Sequence, residues 1–271
     1  MNLLKCILTE NACYKTKQTI TPKGVMVHST GANNPNIKRY VQPLDHDVAG
    51  AYEPDRTELL RLLGVNANAN DWNHTDREAC VHAFIGKLAD GSVATAQTLP
   101  WNHRGWHAGV GFTGYSANNT HISFEICEDG LTDPDYFRLV YREAVELTAY
   151  LCRQYSLDPL ADGVVICHQE GYRQGVASNH ADVLHWFPKM GKSMDDFRAD
   201  VAAELAPKPE PEEEDGMNWY KTLDEVPEYY RPTVEKLVDA GALKGMGDNA
   251  LYVSEEFCRV MTVLDRLGKL D

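Results

Sequence analysis

No stretch of this sequence approaches the roughly 18 consecutive apolar residues of a membrane-crossing helix, so no span is expected. Basic residues are in deficit, 26 Lys+Arg against 40 Asp+Glu, a net charge of −14. Nucleic-acid binders use Lys and Arg to displace counterions from phosphates, and anionic membrane surfaces demand the same excess. Neither partner is expected. The seven cysteines, at positions 6, 13, 80, 127, 152, 167 and 258, are odd in number and form no C-x-x-C. That argues against a disulfide framework or a Cys-rich zinc module. Cys127 and Cys167 lie in apolar runs, where cysteine acts as a small hydrophobe, and all seven are expected as thiols in a reducing cytoplasm. H-E-x-x-H is missing, which argues against the commonest kind of zinc peptidase. The opening MNLLKCILTENACYK breaks its apolar residues with polar ones, so it is not expected to be a secretory signal.

What is present describes a folded chain. Its 271 residues are 43% hydrophobic and 9% aromatic, ordinary for a packed protein and too high for a disordered one. Ala206–Asp215 (APKPEPEEED) stands apart, with three prolines, four Glu and an Asp against one Lys. Such a segment stays extended and solvated. Three parts are therefore expected: residues 1–205, a linker over 206–216, and a small helical module over 217–271. Residues 206–271 carry eight basic and 15 acidic groups, net −7, half of the total.

The larger part alternates strand and helix signals, which predicts an α/β fold with a central mixed sheet and flanking helices. Gly24–His28 (GVMVH), His121–Cys127 (HISFEIC) and Val164–His168 (VVICH) read as strands, and Cys80–Lys87 with Ser92–Leu99 as a hairpin around Ala-Asp-Gly. A long helix should begin at Asp133-Pro134 and bury Phe137, Val140, Ala144, Val145 and Leu151. Arg56–Leu63 reads as a shorter one. In the tail, one helix carries Val234, Leu237 and Val238 and closes at Gly241 and Gly245. A second is capped by Ser254 and carries Phe257, Val260, Met261, Leu264 and Leu267. Trp219 and Tyr220 are expected to cover this pair. So small a core favours self-association or docking.

Ten histidines invite a metal reading. His46, His74, His103 and His121 fall in polar loops or at strand starts and read as solvated or capping; His82 alternates along a strand and reads as half-buried. His28 and His168 differ, because each ends an apolar run and so reaches the rim of a sheet, where loops build sites. Hydrolytic zinc wants three protein ligands and one open position. Downstream of His168 the chain offers His180, Asp182 and His185. On pattern alone, hydrogen-bonded structural histidines are the favoured account over a zinc site of two His and one Asp.

Four ordered motifs carry a resemblance. Val27-His28-Ser29-Thr30, Trp106-His107-Ala108-Gly109, Ile122-Ser123-Phe124-Glu125-Ile126 and Cys167-His168-x-Glu170 together resemble the zinc-dependent N-acetylmuramoyl-L-alanine amidases of the amidase-2/peptidoglycan-recognition family. The branch most similar is that of clostridial phage and prophage endolysins, over about residues 1–205. The resemblance implies one Zn2+ per chain, with His28 and His168 as ligands and Asp182 as the third. His180 stands where the family places an oxyanion-stabilising lysine, and it also remains open as the third ligand, because the 14-residue step from His168 to Asp182 is longer than usual. Glu125 matches the carboxylate that activates water. Trp106 and His107 would meet the substrate. The implied partner is bacterial peptidoglycan, reached after holin-type or lytic release from the cytoplasm. A peptidoglycan-binding protein of the same fold without catalysis is the alternative. The tail loosely resembles an S-layer-homology unit, leaving wall anchoring and homo-oligomerisation both open.

Overall fold

The computed structural model describes residues 1–206, 218–243 and 250–270. The chain splits into two compact units, Met1–Ala206 and Pro207–Asp271. All of the expected linker except Ala206 lies outside the described residues, as does Gly245. Among the described residues no helix is long and apolar enough to cross a membrane.

The first unit runs β1 (Leu3–Cys6), α1 (Ala12–Thr16), β2 (Gly24–Asn33), β3 (Tyr52–Glu53), α2 (Arg56–Leu63), β4 (Ala83–Lys87), β5 (Val93–Gln97), β6 (His121–Glu128), α3 (Pro134–Tyr155), β7 (Val165–Cys167), α4 (His168–Arg173) and α5 (Met194–Leu205). Seven strands form one mixed sheet in the order β3-β1-β5-β4-β6-β2-β7. The centre, β4-β6-β2-β7, is all parallel, and β5 returns antiparallel to β4. Central parallel strands are covered on both faces, which is why they read as continuous apolar runs.

Strand alternation divides those residues between two layers. Val25, Val27, Ala83, Ile85, Phe124, Ile126 and Val165 point to one face, under α3 and α5. The 22-residue α3 starts at the Asp133 cap, whose side chain accepts from the backbone N–H of Asp135 and Tyr136, with Pro134 in its first turn. Phe137 and Tyr141 pack on Trp186, Phe187 and Phe197. On the opposite face Phe84, Tyr40 and Cys127 meet Leu59 and Leu63 of α2. That same face, farther along β2, β6 and β7, carries the polar residues described below.

The structure corrects several expectations. Cys13 and Cys80 form a disulfide across 67 residues, whereas the other five cysteines are buried thiols. Local spacing could not reveal this pair, because only the fold brings α1 against the segment entering β4. His121 is buried rather than solvated, and its Nε2–H donates to the Gly163 carbonyl at 2.9 Å. Gly24 leaves room for that ring, since a Cβ there would stand 2.6 Å from Nε2. His82 is fully rather than half buried. β7 stops at Cys167, and His168 opens α4. Glu170 is the reason, because its carboxylate accepts from the Cys167 N–H at 3.0 Å and ends the strand.

The second unit contains β8 (Trp219–Tyr220), α6 (Arg231–Asp239), β9 (Val253–Ser254) and α7 (Glu255–Arg266). Its core gathers Val226, Tyr230, Val234, Leu251, Val253 and Cys258, with Tyr220 packed against it. Trp219 is exposed and instead pairs its backbone with Ser254. Ser254 caps α7 through the Phe257 N–H.

Candidate active site

Position 28 is set by the period of β2. Val25 and Val27 must enter the α3 layer, so Met26 and His28 turn to the other face. In the parallel β2–β6 ladder His28 is in register with Glu125. Neighbours in register point to the same face, so the imidazole and the carboxyl share one surface. β7 lies on the other side of β2 with Cys167 level with Val27, and the next residue, His168, brings a second imidazole beside the first.

Asp182 arrives from the segment after α4. That segment is fastened by backbone bonds from Val176 N–H to Gly171, Ala117 N–H to Val176 and Ser178 N–H to Ala108. The Asp182 Oδ2 stands 2.9 Å from His28 Nδ1 and 3.2 Å from His168 Nδ1, and those two nitrogens are 3.2 Å apart. His28, His168 and Asp182 are the one group among the described residues whose ligand atoms converge as metal donors do, all within 4.8 Å. His180 is not in that group. Its ring centroid lies 4.7 Å from that of His168, and Ser178 Oγ bridges His168 Nε2 and His180 Nδ1 at 3.2 Å each.

Electrostatics bears on whether these residues fit a cation. Burial pushes the Glu125 carboxyl well above the ordinary range, and the charges of Asp182 and Glu128 push it further. Burial opposes charge on Asp182 too, but hydrogen bonds from His168 and His28 hold it well below the usual range. Burial lowers His28, against the pull of Asp182. Glu125 Oε2 is buried with no hydrogen-bond partner. Among the described residues no lysine or arginine hydrogen-bonds to His28, His168, Asp182 or Glu125. Two imidazole nitrogens and a carboxylate oxygen therefore face one point with no positive side chain to balance them. That donor set, two His and one Asp, fits zinc.

His107 occupies a place that spacing could not foresee. Its Nδ1 is 3.1 Å from His28 Nε2, and its ring meets both His28 and His82 edge-on. Trp106 beside it is half exposed, at 50%. Trp106 is therefore the more exposed of the two, and His107 is half-buried. The loop is rigid. Asn118 Oδ1 accepts from the N–H of His107 and Ala108, and Ser116 donates to the Gly109 carbonyl. Gly111 lets it touch the Asp182 segment, since a Cβ there would lie 1.8 Å from the Gly175 oxygen. The disulfide reaches this loop as well, with the Trp106 N–H directed at Cys80 Sγ at 3.1 Å.

Asn118 and Ser178 were not legible in the sequence as site neighbours, whereas His185, offered there as a ligand candidate, is outside the converging group and instead pairs with Glu128 at 2.8 Å. Nothing in hydrophobic period marks a loop polar group. Glu170, two residues from His168, is engaged elsewhere, capping α4 and holding Arg198 through two bonds of 3.1 Å.

The family profile described as N-acetylmuramoyl-L-alanine amidase (Amidase_2) matches residues 18–184. Among solved structures, that of PlyL is 19% identical, covers 74% of this chain and 96% of its own, and has a TM-score of 0.46. A mutant endolysin from Bacillus subtilis is 21% identical, with 74% and 99% covered and a TM-score of 0.46. The Staphylococcus aureus hydrolase AmiA in complex with its ligand is 18% identical, with 68% and 73% covered and a TM-score of 0.44. No curated protein matches the chain by sequence.

Proposed function

The chain belongs to the N-acetylmuramoyl-L-alanine amidase family, and from that premise we propose that it is a zinc hydrolase of the amide joining the muramoyl lactyl group to L-alanine in bacterial peptidoglycan. The observation that carries the reading is the convergence of His28, His168 and Asp182 beside the register-paired Glu125. Zinc held by those three side chains would supply Lewis acidity, polarising the scissile carbonyl and acidifying the attacking water.

The remaining work falls to the chain. Glu125, with its unpartnered oxygen, takes a proton from the attacking water and returns it to the departing L-alanine nitrogen. The C–N bond breaks, the lactyl carbon keeps the new oxygen, and the amine leaves neutral. His180, at the exposed rim, donates to the oxygen that gains charge as water adds, the contribution usually largest in acyl transfer. Trp106 offers its exposed face to a sugar ring. The substrate lies in the wall, so the enzyme acts after release from the cell that makes it.

A non-catalytic binding protein needs no water-activating carboxyl, and the complete donor set with Glu125 favours hydrolysis. Digestion of purified wall followed by labelling of new amino groups tests the reading. Newly exposed L-alanine N-termini are expected; glycan reducing ends instead, or no new termini, would overturn it.

A further inference from the structure

Asp182 reaches the converging group by an uncommon backbone step. Its carboxylate stands on the site face of the sheet, beside His28, whereas the next residue, Val183, is fully buried in the α3 layer on the other face. The chain thus crosses the rim of the sheet within one peptide unit. Val183 makes the crossing at φ +55°, a left-handed conformation that crowds Cβ against the following carbonyl and is an outlier for a β-branched residue. Glycine would take that φ freely, yet a valine stands there. Such strain persists only where the surroundings over-determine the conformation, and it collects at functional sites.

The strand ends beneath the crossing hold it in place. β2 alternates, so His28 faces Asp182 while Ser29 turns to the α3 layer, in register with Ile126. Ser29 Oγ accepts from the Val183 N–H at 3.4 Å. Three residues beyond Asp182, the His185 Nε2–H donates to Glu128 Oε1 at 2.8 Å. That same oxygen accepts from the Gly31 N–H at 3.1 Å, and the Glu128 N–H donates to Thr30 Oγ1 at 3.1 Å. Glu128, 4% exposed at the end of β6, therefore joins the end of β2 to the segment that carries Asp182. His185 itself sits inside a turn that begins at Val183, whose carbonyl accepts from the Trp186 and Phe187 N–H at 3.0 and 2.8 Å. We propose that Glu128 and His185 are positioning residues for Asp182. Their hydrogen bond clamps the strained Val183 turn to the strand ends and keeps the third donor within reach of both imidazoles before a metal binds. A donor on an unclamped loop would have to be ordered on binding, and the lost entropy would oppose affinity. The inference rests on the zinc reading of the site.

Zinc affinity of the full chain, read by competition against a chromophoric chelator, tests this. His185→Ala should weaken binding about 10- to 100-fold, the usual effect of losing a group that orients a metal ligand. His185→Gln, whose amide N–H can donate to the same oxygen, should recover part of the loss. Glu128→Gln removes the charge but keeps an accepting oxygen, so it should bind zinc more tightly than Glu128→Ala. Because the pair acts through Asp182, adding His185→Ala to Asp182→Ala should not lower the remaining weak affinity further, as for two changes that remove one shared contact. The His185 side chain is one-third exposed, at 33%, so its variants test the clamp even if Glu128→Ala fails to fold. Melting of the metal-free chain separates a purely structural role. A His185→Ala protein that melts lower without metal yet keeps wild-type zinc affinity overturns the proposal. So does an equal loss of affinity with and without Asp182, or a Glu128→Gln protein as weak as Glu128→Ala. A wild-type chain that binds no zinc overturns the zinc reading and this inference together, whereas wild-type binding with unchanged affinity in His185→Ala overturns this inference alone.

Discussion

His28 and Glu125 occupy facing positions of the parallel β2–β6 ladder, so one backbone register fixes a metal-type donor and a candidate base on the same face. Neither side chain has to be brought in by a flexible loop. Asp182 and His180 do come from a loop, and that loop is tied by backbone bonds of Val176 to Gly171 and Ala117 and of Ser178 to Ala108. One half of the site thus lies on strands, and the half carried by a loop lies at the rim. This division separates the roles in a way that substitution can test.

Zinc should be present at one ion per chain. Asp182→Ala removes the oxygen that both His28 and His168 approach, and it should abolish tight binding. Removing zinc with a chelator should abolish hydrolysis and lower the melting temperature, because a ligand at 100 times its Kd stabilises the folded state by about 2.7 kcal/mol. Elemental analysis and calorimetry check both. Stoichiometric zinc in Asp182→Ala alongside its loss from His180→Ala would make His180 the third ligand.

Glu125→Gln keeps the shape of the side chain and removes its basicity. Zinc content should not change, since Glu125 is outside the converging donor group, while turnover should fall by roughly 10²–10⁴-fold. Activity near wild type would move the base role elsewhere. Glu170 could not take it without giving up its cap and Arg198, which leaves Glu128, itself bonded to His185.

Much of the frame was readable before folding because its causes are local. The α3 start follows from Asp133 and Pro134, Arg56–Leu63 from its spacing of leucines, and the β4–β5 hairpin from a turn closing at Gly91, where φ is +86°. Strands β1 and β3 and helices α1 and α5 carried weaker local signals and depend on tertiary partners: β1 pairs Leu3 with the distant Thr95 of β5, and α5 packs on α3 through Phe197. At the site, His28 and His168 stood out because apolar runs delivered them. His107 did not reveal its contact with His28, since that contact depends on Asn118 folding the loop back.

His107 should govern how firmly His28 holds a metal. If His28 binds through Nδ1, its Nε2 carries the proton and donates to His107 Nδ1, 3.1 Å away. Such partners fix the tautomer and orientation of a ligating imidazole, and losing one typically costs 10- to 100-fold in affinity. His107→Ala should therefore weaken zinc binding about that much, and His107→Asn, which keeps an acceptor, should recover part of it. Competition against a chromophoric chelator measures this without reference to turnover. Unchanged affinity in His107→Ala would leave His107 a substrate contact only.

The Cys13–Cys80 bond predicts a thiol count. Under denaturing, non-reducing conditions five thiols should react, those of Cys6, Cys127, Cys152, Cys167 and Cys258, and seven after reduction. Closing a loop of 67 residues should stabilise the fold by about 4 kcal/mol on the chain-entropy account. Cys13→Ser should therefore melt well below the oxidised protein, and denaturant titration reads the difference. Seven reactive thiols without reductant would return the pair to the reduced state that spacing alone suggested.

Ending the chain at Ala206 should leave a folded, zinc-binding hydrolase. Every proposed site residue lies before that point, and the two apolar layers around the sheet draw only on residues 3–205. α5 completes its last backbone bond at Ala206, so the cut exposes no core. What should change is the company the chain keeps. Self-association through the second unit, the role its small core favours, would leave the truncated chain monomeric at every concentration, and hydrolysis of a soluble muramoyl-peptide should be unaffected. On intact wall the truncated form should act more slowly, because two linked catalytic units raise effective concentration at the surface. Equal masses for the full and truncated chains, with wall binding lost, would transfer the tail's role to anchoring. A truncated chain that fails to fold would show that the second unit completes the first, against the independence that their separate cores imply.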